Sequence, residues 1–166
     1  MISLSPVIDL LSKKPNGFAD IWFRRVDGIA EGEQIKTEAM PMPACWLMRE
    51  SEKSQHAGEL TELVTVTFNV VIGIASHRQH KKQNEADEAL LRYRQEVKSL
   101  LIGYSLPNAD TDPIDYSGGR LMSYADGYMY WVDTYTVRAL VTNYKPDPVA
   151  GSEVKIERIT DDGNLL

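Results

Sequence analysis

The chain has 166 residues, 43% of them hydrophobic and 25% charged, with a net charge of −6 and a pI near 5.1. That length suits one domain, and the composition is that of a soluble globular protein with enough apolar residues for a packed core. The acidic balance excludes a general nucleic-acid surface, which needs clustered positive charge, but it suits DNA that passes without sticking. The one cysteine, Cys45, sits in an apolar run and reads as a small buried hydrophobe. A single cysteine forms no internal disulfide, so nothing points to an oxidising compartment. No apolar run approaches the length of a membrane span, and Met1-Ile-Ser-Leu-Ser-Pro6 lacks a basic region followed by an apolar core. The expectation is a cytoplasmic protein, or one assembled from the cytoplasm, with no membrane partner.

Ser5-Pro6 opens a short helix, with serine at the cap, proline at the first helical position and Val7, Ile8, Leu10 and Leu11 on its apolar side. Pro15-Asn16-Gly17 ends it. Phe18 to Val26 has mixed spacing and leaves helix and strand open, and residues 29–39 read equally as a helix or a polar excursion. Met40-Pro41-Met42-Pro43 forces extended backbone, and Ala44 to Met48 reads as a strand. Residues 49–60 have almost no apolar content and read as a long loop. Leu63 to Ala75 is the clearest strand: Val64, Val66, Phe68, Val70, Ile72 and Ile74 fall on one face.

A polar, basic segment follows, and Asn84 then caps a helix reaching about Leu101. Ala86, Leu90, Tyr93, Val97 and Leu100 line one face of that helix, with Leu91 and Leu101 widening the stripe. Gly103 suits the left-handed position that stops it. Arg120 to Tyr124 is a short strand, Ala125-Asp126-Gly127 a hairpin turn, and Tyr128 to Val141 a second long strand. On that strand Met129, Trp131, Tyr135, Val137, Ala139 and Val141 share a face, with Asp133 the misfit. The fold class expected is α+β, two layers, with an antiparallel sheet whose two long strands pack against helices. Residues 1–148 form the single domain and 149–166 a C-terminal arm.

The candidate chemistry is thin. Asp110, Asp112 and Asp115 resemble a calcium loop for two ligands only. Counting from Asp110, Ile114, Asp115 and Leu121 stand where an oxygen ligand, a glycine and a bidentate glutamate are required. These aspartates read as a solvated corner that caps its own turns. His77 and His80 have zinc-like spacing, but Arg78, Lys81 and Lys82 surround them with positive charge. Gly118-Gly119 precedes a strand and lacks the helix terminus that binds phosphate. Asp133 reads as facing a groove or pairing with Arg138, and a catalytic carboxylate would need a second member that is not visible. No cofactor and no metal is implied. The basic segment His77, Arg78, His80, Lys81 and Lys82 reads either as a solvated loop or as an electrostatic contact to an acidic partner, including a neighbouring copy of this acidic chain.

Several pieces occur in a familiar order. They are Met42-Pro43-Ala44-Cys45-Trp46-Leu47, the alternating long strand, and a helix of the form Ala-Leu-Leu-x-x-Arg-x-x-Val-x-x-Leu-Leu-x-Gly-Tyr over residues 89–104. A Pro- and Asp-rich loop, Gly119-Arg120 and Tyr130-Trp131-Val132-Asp133 follow. The order resembles the tail terminator proteins of long-tailed bacteriophages and prophages, over roughly residues 40–141. Gly103-Tyr104-Ser105-Leu106-Pro107 departs from the family, which commonly has Trp after the glycine and Pro soon after it. The resemblance implies a structural virion protein rather than an enzyme. It implies a homo-oligomeric, six-subunit ring that caps the tail tube, stops its growth and joins the head at the head-proximal end. Its partners would be the tail tube protein and a head–tail connector or completion protein, with DNA passing through the lumen unbound. Two alternatives stand beside it: another tail or connector component, such as a tube subunit, and a small hydrolase-type enzyme built around Asp133 and the Asp110–Asp115 loop.

Overall fold

The structure, a computed structural model, describes residues 2–28, 41–75, 83–107, 110–125 and 127–142. The polar stretch 29–39, the basic segment with His77, Arg78, His80, Lys81 and Lys82, and the arm 149–166 lie outside the described residues. In chain order the elements are α1 (Ser5–Leu11), β1 (Arg25–Gly28), β2 (Ala44–Gly58), β3 (Thr61–Ala75), α2 (Gln83–Leu101), β4 (Asp115–Ala125) and β5 (Tyr128–Thr142). The fold is α+β, with one five-stranded sheet in the order β1-β2-β3-β5-β4. The sheet is mixed, which corrects the expectation of antiparallel strands alone. β1 runs parallel to β2, and the other three pairings are antiparallel. Four residues are too few to show a period of two, so Arg25–Gly28 left no strand signal in the sequence.

The two long strands are as patterned. Val64, Val66, Phe68, Val70, Ile72 and Ile74 are all buried on one side of β3, and β5 pairs with β3 over its whole length, from Thr61↔Thr142 to Ala75↔Tyr128. Met129, Tyr135, Val137 and Ala139 extend the same buried side, which also takes Cys45 and Leu47 of β2. Both helices feed this core. α1 contributes Val7 and Leu11, and α2 contributes Ala86, Ala89, Leu90, Tyr93, Val97 and Leu101. α2 begins at Gln83, so Asn84 is already helical, and Leu4 rather than Ser5 stands at the cap of α1. Leu91 does not widen the buried stripe: it is 49% exposed. The other side of the sheet carries a smaller apolar cluster of Met42, Ala44, Trp46, Val71, Tyr130 and Val132.

Two further expectations are corrected. Residues 49–58 are strand, not loop: β2 continues to Gly58, and a tight hairpin enters β3 at Thr61. This half of β2 has exposed side chains on both sides and is held by its backbone ladder to β3, from Ser51↔Thr67 to His56↔Glu62. Backbone hydrogen bonds form with any non-proline residue, so a polar composition does not reveal them. β4 likewise starts at Asp115 rather than Arg120, and shortens the corner after α2. That corner is pinned. Gly103 adopts φ +83°, and its N–H bonds to the Ile114 carbonyl at 2.9 Å. The Ile114 N–H in turn bonds to the Tyr104 carbonyl at 2.9 Å, and Leu106 and Ile114 are buried. Asp112 forms an ion pair with Arg138 at 3.0 Å, with both side chains about half exposed.

Candidate functional site

Asp133 points into the helix side of the sheet and is fully buried. An isolated buried carboxylate is costly, so its partners decide its role. Arg94 from α2 approaches it with two prongs, Nε to Oδ2 at 3.0 Å and Nη2 to Oδ1 at 2.9 Å. The Tyr116 hydroxyl of β4 donates to Oδ1 at 2.9 Å, and the indole Nε1 of Trp131 donates to the same oxygen at 3.0 Å. Arg94 also lies over the Trp131 ring, 3.9 Å from its centroid, and Lys98 lies over the Tyr116 ring at 3.9 Å. Burial works against the Arg94 charge, but the hydrogen bonds and charge of Asp133 and Tyr116 outweigh it and hold its pKa above the ordinary value.

Asp133 therefore pairs with Arg94 on the helix and not with Arg138, which is engaged with Asp112. Arg138 is the nearer in sequence, but side chains on one strand alternate between faces, so residues 133 and 138 leave opposite sides. With three donors on one oxygen and one on the other, the carboxylate is saturated, as a strut between α2, β4 and β5 should be. A general base needs an accessible lone pair, and this geometry leaves little.

Gly119 makes the cluster possible. It lies directly across from Asp133 in the β4–β5 ladder. A Cβ there would stand 2.1 Å from Asp133 Oδ1, 2.7 Å from Trp131 Nε1 and 2.9 Å from the Tyr116 hydroxyl. No side chain fits.

Beside the strut is a groove of about 560 Å³ between α2 and the β4–β5 hairpin, lined by Asp87, Leu90, Leu91, Leu121, Met129 and Trp131. Arg94 of the strut also lines it. Among the described residues no three His, Cys, Asp or Glu side chains gather as a metal site would require. Asp110, Asp112 and Asp115 do not converge with Asp133: Asp115 pairs across β5 with Thr136, and Asp112 faces Arg138.

Arg94, Gly119, Trp131 and Asp133 come from three separate segments of sequence, and each belongs to a piece whose order carried the family resemblance. Their meeting is what sequence reasoning missed. The available signal was Arg94 itself, a cation four residues after Leu90 and three before Val97, on the edge of an apolar helix stripe. A family model described as phage tail terminator protein matches residues 4–145.

The chain belongs to the phage tail terminator family.

The terminator match runs from α1 through the end of β5, well beyond the 40–141 over which the sequence resemblance was read. It makes this a structural phage tail protein that acts with other tail components and has its place in the virion. A comparison with curated proteins finds no match. No helix among the described residues is long and apolar enough to cross a membrane.

Proposed function

We propose that this terminator caps the tail tube as an oligomeric ring, a hexamer, that ends tube polymerisation and offers the surface joined to the head. The family match over residues 4–145 carries this reading. The saturated Asp133 cluster supports a scaffold role over a catalytic one, because its donors leave the carboxylate no free work. In this reading the partners are copies of the chain, the tail tube protein and a head–tail connector or completion protein, and DNA crosses the lumen unbound. The net charge of −6 favours that passage by repelling phosphate.

The basic segment His77, Arg78, His80, Lys81 and Lys82 connects β3 to α2 and docks on the tube end or on a neighbouring subunit. Residues 1–148 are the subunit's one domain, and 149–166 an arm appended to it. Removing the arm after Pro148 should leave a subunit that still folds and unfolds cooperatively, read by circular dichroism on heating.

The deciding experiment is mass by light scattering with negative-stain images of the purified chain, alone and added to growing tubes. Closed rings that stop tube growth support the terminator role. Long tubes made of this chain would identify a tube subunit instead, and monomers with no effect on growth would sink the ring.

A further inference from the structure

α2 has two flanks, and they differ in shape and charge. On the β4 side lies the groove, with Leu91 at 49% and Leu121 at 50% exposure on its lips. Asp87 stands on its rim, one helical turn before Leu91. On the β1 side Ile21, 55% exposed, forms an apolar knob at the lip of a small pocket that Asp20, Pro43, Ile74, Ala89, Arg92 and Tyr93 complete. Its charged neighbours are Asp20, Arg92 and Arg24. Arg92 pairs with Asp20 at 2.7 Å, and Arg24 is exposed three residues from Ile21, close enough to act on the Tyr93 hydroxyl.

The two flanks sit at the same height on the sheet. Ile74 beneath the knob is the register partner of Met129 in the groove. Knob and groove therefore lie at one level, on the two flanks of α2 that carry Ala89 and Leu91.

We infer that the Ile21 knob of one copy seats in the α2–β4–β5 groove of the next, with Arg24 reaching Asp87 across the contact. This rests on the ring reading above. Three observations favour a second copy as the occupant. An apolar side chain half exposed on one flank matches an apolar groove on the other, and burying both removes the half-exposed Ile21, Leu91 and Leu121 from water. The rim carries an acid, Asp87, and the knob an exposed arginine, Arg24, with no ion-pair partner among the described residues, which steers the two flanks together. The contact is heterologous, so repeating it sideways closes a ring when the rotation permits.

The test uses two single variants of the whole chain, Ile21→Asp and Leu121→Asp, with circular dichroism to check folding. Both positions are exposed, so the folded monomer should persist. Each variant alone should shift the mass from ring to monomer. Mixed in equal amounts at high concentration they should give dimers and no rings, because the mixture keeps one intact knob and one intact groove. Arg24→Asp with Asp87→Arg in one chain should restore rings that either change alone weakens.

Rings that persist in both aspartate variants overturn the interface and leave the ring reading standing. A Leu121→Asp protein that forms rings but no longer binds tubes assigns the groove to the tube protein and also overturns it. A wild-type chain that forms no ring overturns both.

Discussion

Tyr93 ties α2 to the segment from Phe18 to Phe23 with one side chain. Its ring packs among Phe18, Trp22 and Phe23, and its hydroxyl donates to the Ile21 carbonyl. Burial, helped by the nearby Asp20 charge, pushes its pKa up to about 12. The neutral phenol is the form that donates. A raised pKa means that this contribution is whole below the ordinary tyrosine value of about 10 and is lost as pH climbs through about 12. Replacing Tyr93 by Phe should cost about 1 kcal/mol at neutral pH, the usual worth of one hydrogen bond. The gap between wild type and variant, measured by urea unfolding at a series of pH values, should stay flat to about pH 10 and close above it. A gap that ignores pH would show that the hydroxyl adds nothing. Cys45 acts differently. It is fully buried in the core, and burial alone pushes its thiol pKa up, as expected of a packing residue with no reactive role.

At the level of elements, the Asp133 strut decides how α2 sits on β4 and β5. Removing Arg94 leaves a buried carboxylate with only the tyrosine and indole donors. Arg94→Ala should therefore destabilise by about 3–5 kcal/mol, the cost of stranding a buried charge. Gly119→Ala tests the same strut from the other strand. Its methyl group would displace the Asp133 carboxylate by collision at 2.1 Å, on a backbone that cannot retreat without breaking the ladder. A loss of similar size is expected, read from the thermal or denaturant midpoint. If Gly119→Ala costs under about 1 kcal/mol, the strand yields freely and the strut is not rigid. The aspartate corner between α2 and β4 has no such weight. Its Asp112–Arg138 pair is half exposed, and exposed pairs contribute about 0–1 kcal/mol.

On the scale of the whole molecule, three fifteen-residue strands, β2, β3 and β5, run side by side at the centre of the sheet, about 50 Å long at about 3.3 Å per residue. The basic segment leaves β3 at one end, and the β2–β3 hairpin, with Glu52, Glu59 and Glu62, turns at the other. The proposed docking role has the segment that follows β3 in sequence meet an acidic surface of the next molecule. Reversing Arg78, Lys81 and Lys82 to glutamate should then impair tail completion in particles while the isolated chain keeps its circular dichroism. Normal tails from that triple variant, counted by electron microscopy, would show that the segment only faces water.

Sequence by itself determined the parts governed by local periodicity. The six alternating residues from Val64 to Ile74, the α2 stripe from Ala86 to Val97 and the glycine stop at Gly103 were all legible, because side-chain direction follows from backbone repeat alone. The order of motifs from Met42 to Asp133 was enough to point to the tail terminator family. Tertiary structure alone decided the rest. β1 and the polar half of β2 are held by pairing with neighbours, which leaves no trace in their own composition. The partner of Asp133 lies 39 residues away on another element, not five residues along its own strand. The groove and the pocket beside Ile21 form where α2 meets the rest of the fold, with Leu91 lining one and Ala89 the other. Each of these depends on which distant surfaces meet, and one residue's neighbours in sequence do not fix its neighbours in space.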